Sequence, residues 1–490
     1  MAILDFLFRK KPELPPLQFR NTLSGNIEDF SSLTSGKVLM YNCGPTPYDR
    51  QHIGNMVPPI LADIIRRTLE VWGYKTRQVM NITDFGHLSG DNEGNPDVGD
   101  DKMTSGLKRE GLKFTMANMR KLAEKYAALF FEDVEILGIK TKSITYPRAS
   151  DYIKEQIALV KTLEEKGYAY KIDDGVYFDT SKFRDYGKLG NINLENQREG
   201  ARVEGSSEKR SSHDFVLWKS SKELGWPSPW GKGFPGWHIE CTAMIFTLLG
   251  KQIDIHTGGI EHIPIHHNNE IAQAEAASGR KPFVKYWLHN AHITIEGKKI
   301  SKSLGNTVYL HNIVDRGHNP RAFRYWYLTG HYRTPMNFTW ETIAGADQAL
   351  RRLSRTYLEL PGGGTPHKPF LDIFYAHVAR DLDTPGALAE IWQLIKNDGI
   401  YENVSPADTR ASLAEADRIL GLGLTEARPS ATLKIVEADE LPSEMQKLLK
   451  AREEARKTKD FSTADTIRKQ IEEQGFEIKD TAQGPEITKK

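Results

Sequence analysis

Three things are scarce in this chain of 490 residues: cysteine, an excess of charge of one sign, and long apolar runs. Because only Cys43 and Cys241 are present, a disulfide scaffold is excluded, and two readings remain: inert buried thiols, or metal-binding or catalytic thiolates. The net charge of +1 excludes nucleic-acid binding through bulk positive charge and leaves local basic patches for any polyanionic partner.

The apolar runs all fall short of the roughly 20 residues that span a bilayer, and the opening MAILDFLFRKKPELPP lacks the order of a secretory signal. We therefore expect a cytoplasmic protein without a membrane partner. With 39% hydrophobic and 27% charged residues, the chain can form real cores. Its length predicts about three to four folding units, at roughly 100–200 residues each.

The segment GKVLMYNCGPTPYDRQHIGN (36–55) predicts the start of a parallel α/β sheet. It begins as a β-rich run, breaks in a Gly/Pro loop and enters a helical pattern, and a second β-rich run follows at 75–84. Ligands of such sheets bind where the strands end and the helices begin. A middle block interrupts the α/β pattern, and the chain is mostly helical from about 345. One basic helix from Glu444 to about Gly475 and a β-like end are predicted to follow.

The stretch HHNNE (266–270) is a candidate metal site. His266 and Glu270 are four apart, so on a helix they share a face, whereas His267 is turned about 100° away. Cys43 and Cys241 belong to segments predicted to end at the same sheet edge. Two thiolates, one imidazole and one carboxylate suit zinc. The alternative for HHNNE alone is a helix start with solvated polar residues.

Two further motifs are weak when taken singly. HIGN (52–55) begins a helix whose free N–H groups would suit phosphates, and KKISKS (298–303) reads as a polar loop after a strand. In this order on one α/β domain, they resemble the paired HIGH and KMSKS signatures of class I aminoacyl-tRNA synthetases.

The resemblance is closest to the cysteinyl-tRNA synthetase family and runs from about Leu17 to about Ile487. The segments that carry it are MYNCGPTPYD..HIGN, NITD, GVYFD.SKF.DYGKL, DFVLWK, PSPWGKGFPGWHIEC, DIHTGGIEHIPIHHNNEIAQ.EA, KKISKSLGN and AREEARKTKDFSTADTIR.

This resemblance implies a Rossmann-like α/β catalytic domain with an inserted α+β connective domain, an α-helical bundle and a small C-terminal α/β anticodon-binding domain. The implied boundaries are 17–135 and 226–300 for the catalytic halves, 136–225 for the insertion, 301–344 for the lysine loop and stem-contact region, 345–425 for the bundle and 440–490 for the anticodon domain.

The resemblance also implies the site residues and the partners. Zinc, one ion per chain, would be held by Cys43, Cys241, His266 and Glu270. His52, Asn55, Lys299 and Lys302 would act in catalysis. ATP with Mg²⁺ would meet Gly44, Thr46, His52, Gly54, Asn55, His256, Gly259 and Lys302. L-cysteine would meet Thr83, Trp237 and His238. The implied reaction is formation of cysteinyl-adenylate and transfer of cysteine to the terminal adenosine of tRNA(Cys), by a chain that we expect to be monomeric.

The sequence departs from the family pattern at several positions. Asn55 replaces the second histidine of HIGH, and Ile300 replaces methionine in the lysine loop. Thr257 and Glu261 stand in HTGGIE where HGGG.D is usual, and Phe234 stands where arginine is expected. The acidic loop at about 87–102 is longer than in better-known members; a lid or magnesium contact competes there with a solvated loop.

The C-terminal segment matches the family's terminal motif at Lys459, Asp460, Phe461, Asp465 and Arg468. The alternative is that Asp465 and Ile467 serve capping and packing, with only Arg456, Lys457 and Arg468 facing phosphate.

Two other functions stay open at this stage. A cysteine:amino-sugar ligase of thiol biosynthesis shares the zinc site and both signatures but lacks the tRNA-reading end, so KDFSTAD.IR speaks against it. A non-catalytic RNA-binding paralogue would have lost His52, Lys302 or the zinc set, and all are intact.

Overall fold

The computed structural model describes residues 14–85, 102–192, 208–301, 304–397, 399–426, 441–458, 460–481 and 484–489. The chain divides into two compact units, Met1–Thr425 and Glu426–Lys490. Lys302, Ser303 and Lys459 lie outside the described residues, and so does the acidic loop at 87–102 except for Lys102, which begins a helix.

The first unit alternates strands and helices before it becomes helical. Its strands are β1 Gln18–Asn21, β2 Asn26–Asp29, β3 Lys37–Asn42, β4 Lys75–Met80, β5 Ile144–Thr145, β6 Ala169–Ile172, β7 Gly175–Phe178, β8 Phe215–Ser220, β9 Gly233–Pro235, β10 Ile253–Gly259, β11 Val284–Asn290, β12 Ile293–Ile295, β13 Lys298–Lys299 and β14 Met336–Phe338. Its helices are α1 Ile53–Val71, α2 Lys102–Arg109, α3 Met116–Ile136, α4 Ile153–Glu165, α5 Trp237–Leu248, α6 Asn268–Ser278, α7 Leu310–Asp315, α8 Arg321–Leu328, α9 Trp340–Glu359, α10 Lys368–Ala379, α11 Thr384–Lys396 and α12 Pro406–Leu420.

The central sheet is parallel and has the order β11-β10-β3-β4-β5. Helix α1 connects β3 to β4, as the sequence predicts for a βαβ unit. Because β3 and β10 are neighbours, their carboxyl ends lie side by side, and the Cys43 N–H donates to the Thr257 carbonyl at 3.1 Å. The predicted α/β class is therefore confirmed, and the sheet edge joins residues more than two hundred positions apart.

A second, antiparallel sheet of order β6-β7-β8-β9 lies within and just beyond the predicted insertion. It comes between the two parts of the chain that form the parallel sheet, as expected for an inserted domain. The exact domain boundaries stay a prediction.

The later helices share a hydrophobic core with one face of the parallel sheet. This core includes Ile60 and Ile64 of α1, Phe323 of α8, Leu353 of α9 and Ile419 of α12. A second core, which contains Phe178, Ile245 and Trp287, lies on the side of the antiparallel sheet and of α5. The parallel sheet is thus covered on both faces, as is usual for parallel sheets.

The C-terminal unit contains α13 Ser443–Lys457, α14 Phe461–Glu473 and the antiparallel pair β15 Phe476–Thr481 and β16 Gly484–Lys489. The prediction of one basic helix is wrong, because the Asp460 side chain accepts the Thr463 N–H at 3.1 Å and so begins a second helix. Ile467 is buried, in keeping with a packing role. Within the described ranges of the chain, no helix is long and apolar enough to cross a membrane.

Candidate metal centre and active site

Four side chains from three segments converge at the carboxyl edge of the parallel sheet. Cys43 follows β3, Cys241 lies in the first turns of α5, and His266 and Glu270 lie at the entrance to α6. Their candidate ligand atoms all lie within 4.8 Å of one another. A π-helical turn, Ile263–His267, precedes α6, and His266 still lies beside Glu270, as the four-residue spacing predicts.

The distances between the candidate ligand atoms are close to those around a tetrahedral ion. With bonds of about 2.0–2.3 Å, two ligand atoms on one tetrahedral zinc ion lie roughly 3.2–3.8 Å apart. The Cys241 Sγ lies 3.7 Å from the His266 Nε2, within that range, whereas the His266 Nε2 lies 2.9 Å from the Glu270 Oε1, an ion-pair distance that would lengthen slightly around an ion. The Glu270 Oε1 is a buried carboxylate oxygen close to the His266 Nε2, which is itself a candidate ligand atom, and both lie within 4.8 Å of the two sulfurs. Such an atom fits a metal ligand.

In this cluster, neighbouring charges and hydrogen bonds stabilise ionised side chains against the unfavourable effect of burial. Burial raises the pKa of Glu270, but His256 and His266 outweigh it and lower that pKa to about 2. Burial lowers the pKa of His266, but the Glu270 carboxylate and Cys241 raise it to about 10. Hydrogen bonding from Cys43 lowers the pKa of Cys241 to about 6, against the effect of burial. The cluster therefore favours the anionic forms of Glu270 and Cys241 that a divalent cation needs. Burial and the neighbouring Cys241 raise the pKa of Cys43 well above its ordinary value, so Cys43, like the protonated His266, must release a proton when a cation binds.

A second combination, Cys43, His256, His267 and Glu270, is close enough to compete for the same ion. The hydrogen bonds favour the predicted set. His256 Nε2 already bonds the other carboxylate oxygen of Glu270, Oε2, at 3.1 Å. The second combination also leaves out the Cys241 sulfur. We therefore assign His256 to orienting Glu270, in the way that groups around a metal site hold its ligands.

The structure brings the two signature motifs into contact. The Ile53 N–H at the start of α1 donates to the Val308 carbonyl at 2.9 Å, just after the lysine loop. A Cβ at Gly54 would lie 2.9 Å from both His52 Cε1 and Ile300 Cδ1. Asn306 spans the base of the loop, because its amide group donates to the Lys299 carbonyl at 2.9 Å and accepts the Ser301 N–H at 2.9 Å. The described part of the loop is therefore held against the helix start.

The replacement Gly54→Ala is expected to lower the rate of ATP–pyrophosphate exchange by roughly tenfold or more, because a Cβ there forces His52 and Ile300 apart and displaces the loop. The added variant Ile300→Val should recover part of the loss. Gly345→Ala is the matched control, since its Cβ would meet nothing within 4 Å and exchange should be unchanged. An unaltered rate in Gly54→Ala would show that this packing is unimportant for catalysis.

The residues predicted to meet the amino acid lie beside the metal cluster. Trp237 stacks on His266 with ring centroids 4.4 Å apart. The buried His238 lies 2.9 Å from His266, Nδ1 to Nδ1. Thr83 is also buried, and its hydroxyl donates to the Glu240 carboxyl at 3.1 Å. Sequence reasoning missed Glu240, because it lies on α5 and its partner Thr83 lies in the segment after β4, 157 positions earlier in the chain.

The residues predicted to line the adenylate lie along the same edge. The Gly44 N–H donates to Asn81 Oδ1 at 2.8 Å, and a Cβ at Gly44 would overlap the Asn81 backbone carbonyl, so the glycine is required for this close approach. Thr46 accepts a hydrogen bond from Gln51 through its carbonyl at 3.2 Å. Gly259 is the last residue of β10, and Asn55 is exposed in the first turn of α1. Their contacts with nucleotide stay predictions.

The departures from the family pattern have local explanations. Asn42 Nδ2 donates to the Thr257 hydroxyl at 2.6 Å, which joins β3 to β10 behind Cys43. Phe234 packs edge-on to Trp226, with centroids 5.6 Å apart, where an arginine would have placed a charge. Glu261 is half exposed and lies 3.6 Å from His292.

Sequence reasoning missed two histidines of the site. His262 packs against His266 and His267, and its buried Nδ1 has no hydrogen-bond partner among the described residues. His289, on β11, lies with its Nε2 2.7 Å from the Nδ1 of His267. The only signal was the number of histidines near HHNNE, because no spacing rule connects β11 to α6.

Comparison with known proteins defines the class of protein to which this chain belongs. The model for the class I (C) tRNA synthetase catalytic domain matches residues 29–348, and the model for the cysteinyl-tRNA ligase anticodon binding domain matches residues 438–486. The fold also resembles that of methionyl-tRNA synthetase of Mycobacterium tuberculosis bound by methionyl-adenylate, with a TM-score of 0.55, 14% identity, and coverage of 80% of this chain and 91% of that one. The chain thus has the catalytic fold of a class I aminoacyl-tRNA synthetase.

The chain belongs to the cysteine–tRNA ligase family. It is 42% identical to cysteine–tRNA ligase 1 of Burkholderia lata, over 96% of this chain and 97% of the relative. It is 39% identical to the cysteine–tRNA ligase of Thermus thermophilus, over 95% and 98%. It is 37% identical to the cysteine–tRNA ligase of Aquifex aeolicus, over 97% of this chain and 99% of that relative. The predicted family and ligase class are confirmed, and the amino-sugar ligase and the non-catalytic paralogue are not favoured.

Proposed function

We propose that this chain activates L-cysteine with ATP, forms cysteinyl-adenylate and pyrophosphate, and transfers cysteine to the terminal adenosine of tRNA(Cys). Selection of cysteine is assigned to Zn²⁺ held by Cys43, Cys241, His266 and Glu270. The observation that carries the proposal is the convergence of these four ligand atoms within 4.8 Å, in a chain whose first ligand, Cys43, follows the strand that leads into the HIGN helix.

Zinc, when bound, supplies a soft Lewis acid for the substrate sulfur, and the oxygen of serine is a poorer partner for it. A pocket that relies on shape alone rejects a near-isostere carrying a hydroxyl by only about 10². Trp237, His238 and Thr83 surround the same point and would hold the rest of the amino acid. Glu240, through its hydrogen bond with Thr83, would fix the direction of that hydroxyl.

Activation itself is assigned to positioning and charge stabilisation, because no side chain needs to form a covalent bond with substrate. His52 and Asn55 at the start of α1 would contact the phosphates, together with the N–H groups of the first turn. Lys299 and Lys302 would stabilise charge on the pyrophosphate side, with Mg²⁺ bound to ATP. Gly44, Thr46, Gly54, His256 and Gly259 would border the adenylate.

The domain boundaries predicted from the sequence form part of the proposal, as does a monomeric, cytoplasmic enzyme. The insertion at 136–225 would approach the acceptor end of the tRNA, and the bundle at 345–425 its anticodon stem. The C-terminal unit would read the anticodon. Within that unit, Asp460 and Arg468 are already engaged in the fold, since Arg468 donates to the Ile478 carbonyl at 3.0 Å. The exposed Phe461 is the better candidate for contact with a base.

ATP–pyrophosphate exchange followed by tRNA charging tests this function. Cysteine should support exchange, chelation should abolish it, and tRNA(Cys) should become charged. Cysteine-dependent exchange without charging would favour an adenylate-forming ligase with another acceptor. Failure of exchange by the zinc-loaded protein would contradict the proposed activity.

A further inference from the structure

An unbroken line of hydrogen-bonding atoms runs from the N-terminal hairpin, in which β1 pairs antiparallel with β2, to the metal cluster. The Thr22 Oγ1 lies 2.7 Å from the His289 Nδ1. The His289 Nε2 lies 2.7 Å from the His267 Nδ1, and the His267 Nε2 lies 3.2 Å from the Cys43 Sγ. Thr22 follows β1, which is outside the parallel sheet, and its N–H is held by the Trp287 carbonyl at 2.9 Å. The hydroxyl therefore has a fixed place at the outer end of the line.

The two imidazoles in this line restrict where its protons can lie. Both are buried, and His267 is packed against the rings of His256 and Trp287. A neutral imidazole has one N–H donor and one bare nitrogen acceptor. Because the two rings are joined nitrogen to nitrogen, one ring must donate and the other must accept. The N–H groups of both rings therefore point in the same direction along the line, either toward Cys43 or toward Thr22. The hydroxyl of Thr22 can end the line in either sense, because it both donates and accepts.

The Cys43 end determines the polarity if this sulfur is a metal ligand, a premise that rests on the proposed function. A metal-bound thiolate has no proton to donate and can only accept. His267 must then carry its proton on Nε2, His289 must also carry its proton on Nε2, and Thr22 must donate to Nδ1 of His289. The second ligand combination would need the opposite polarity, since His267 Nε2 would have to be bare in order to bind the ion.

We propose that Thr22, His289 and His267 form a directional hydrogen-bond relay that places one N–H on the Cys43 sulfur, and that Thr22 is a positioning residue for the metal site. The relay completes a pattern in which three of the four candidate ligands have an orienting histidine. His256 bonds Glu270, His238 lies against His266, and His267 holds Cys43. An N–H on the thiolate fixes its lone pairs and offsets part of its charge, which favours entry of a further thiolate from the substrate.

The direct test is the position of the ring protons in the zinc-loaded protein, measured by NMR with ¹⁵N-labelled histidine and assigned with His267 and His289 variants. The relay predicts a proton on Nε2 and a bare Nδ1 in both rings. Protons on Nδ1 in both rings would overturn it and favour the second ligand combination. This measurement uses the unaltered chain and does not depend on activity.

A variant series tests the role of Thr22. Thr22→Val keeps the shape but removes the donor, and zinc affinity measured by chelator competition should fall by about tenfold or more, as for other groups that orient metal ligands. Thr22→Ser should keep near-normal affinity. Thr76→Val is the matched control, because it removes from β4 of the parallel sheet a buried hydroxyl that has no hydrogen-bond partner in the described part of the chain.

Unchanged zinc affinity in Thr22→Val would overturn the role of Thr22. The same outcome in Thr22→Ser and Thr22→Val, with both weakened, would point to the fold of the hairpin instead and would also overturn it. Failure of the unaltered chain to bind zinc would overturn the proposed function and the relay together. Zinc binding that needs Cys241 but shows reversed ring protons would overturn the relay alone.

Discussion

Cys241→Ser is expected to reduce bound zinc from about one ion per chain to a small fraction and to lower cysteine activation by roughly 10²–10³. A serine oxygen is a poor substitute for a thiolate as a zinc ligand. The Cys241 side chain is buried beside Cys43 and His266, so no other described sulfur can take its place. Elemental analysis measures the zinc, and ATP–pyrophosphate exchange measures the activation.

The matched control is Met244→Leu, a volume-conserving change at a buried position one turn further along α5. Zinc content should stay at about one ion per chain in this variant. Full zinc occupancy in Cys241→Ser would contradict the ligand assignment. Loss of zinc in both variants would show that α5 is merely sensitive to substitution.

Asp63→Asn is expected to destabilise the first unit by about 3–5 kcal/mol, because it leaves buried arginines without their counter-charge. The Asp63 carboxylate lies 2.7 Å from the fully buried Arg324 and 2.6 Å from both Arg66 and Arg67. Arg324 also donates to the Leu420 carbonyl at 2.7 Å, so this cluster joins α1 to the end of α12. Urea unfolding of the full chain, followed through the transition of the first unit, measures the loss in free energy of unfolding.

The control is Asp372→Ala, which removes an exposed ion pair with Lys368 on α10 and should cost less than about 1 kcal/mol. Equal effects of the two variants would contradict the importance of the buried cluster.

The same carboxylate predicts a pH dependence of stability. Burial raises the pKa of Asp63, but Arg324, Arg67 and Arg66 outweigh it and lower that pKa to about 2, below the ordinary value of 3.8. Its contribution to stability is therefore complete above about pH 4 and is lost as the pH falls through about 2. Asp63→Asn should flatten this part of the stability profile. An unchanged profile in the variant would exclude Asp63 as its source.

The sequence predicted the parts of the site that follow from local spacing and strand order. His266 and Glu270 share a helical face, and Cys43 must lie at the carboxyl edge because it follows a buried parallel strand. The contacts of Thr22 and His289 could not be predicted, since they depend on the register of β11 against the N-terminal hairpin. The prediction of a single C-terminal helix was wrong because the Asp460 side chain caps the start of a second helix, although the residues on both sides of it form a continuous helical pattern.

The contact between HIGN and the lysine loop could be predicted only in part. Both motifs were recognised, but the packing of Ile300 against Gly54 depends on side-chain positions that no spacing rule gives. Lys302, which the sequence placed in catalysis, lies outside the described residues. Its role rests on the family resemblance and on the ordered loop base at Asn306.

Charging of tRNA(Cys) with cysteine and with serine, side by side, by zinc-loaded and zinc-stripped protein tests the central claim most directly. The zinc-loaded protein should charge cysteine and exclude serine by far more than the roughly 10² that pocket shape provides. Stripping should abolish most cysteine charging and reduce the preference to about that level, and added zinc should restore both. Undiminished charging and selectivity in the stripped protein would contradict recognition of the substrate sulfur by this metal site.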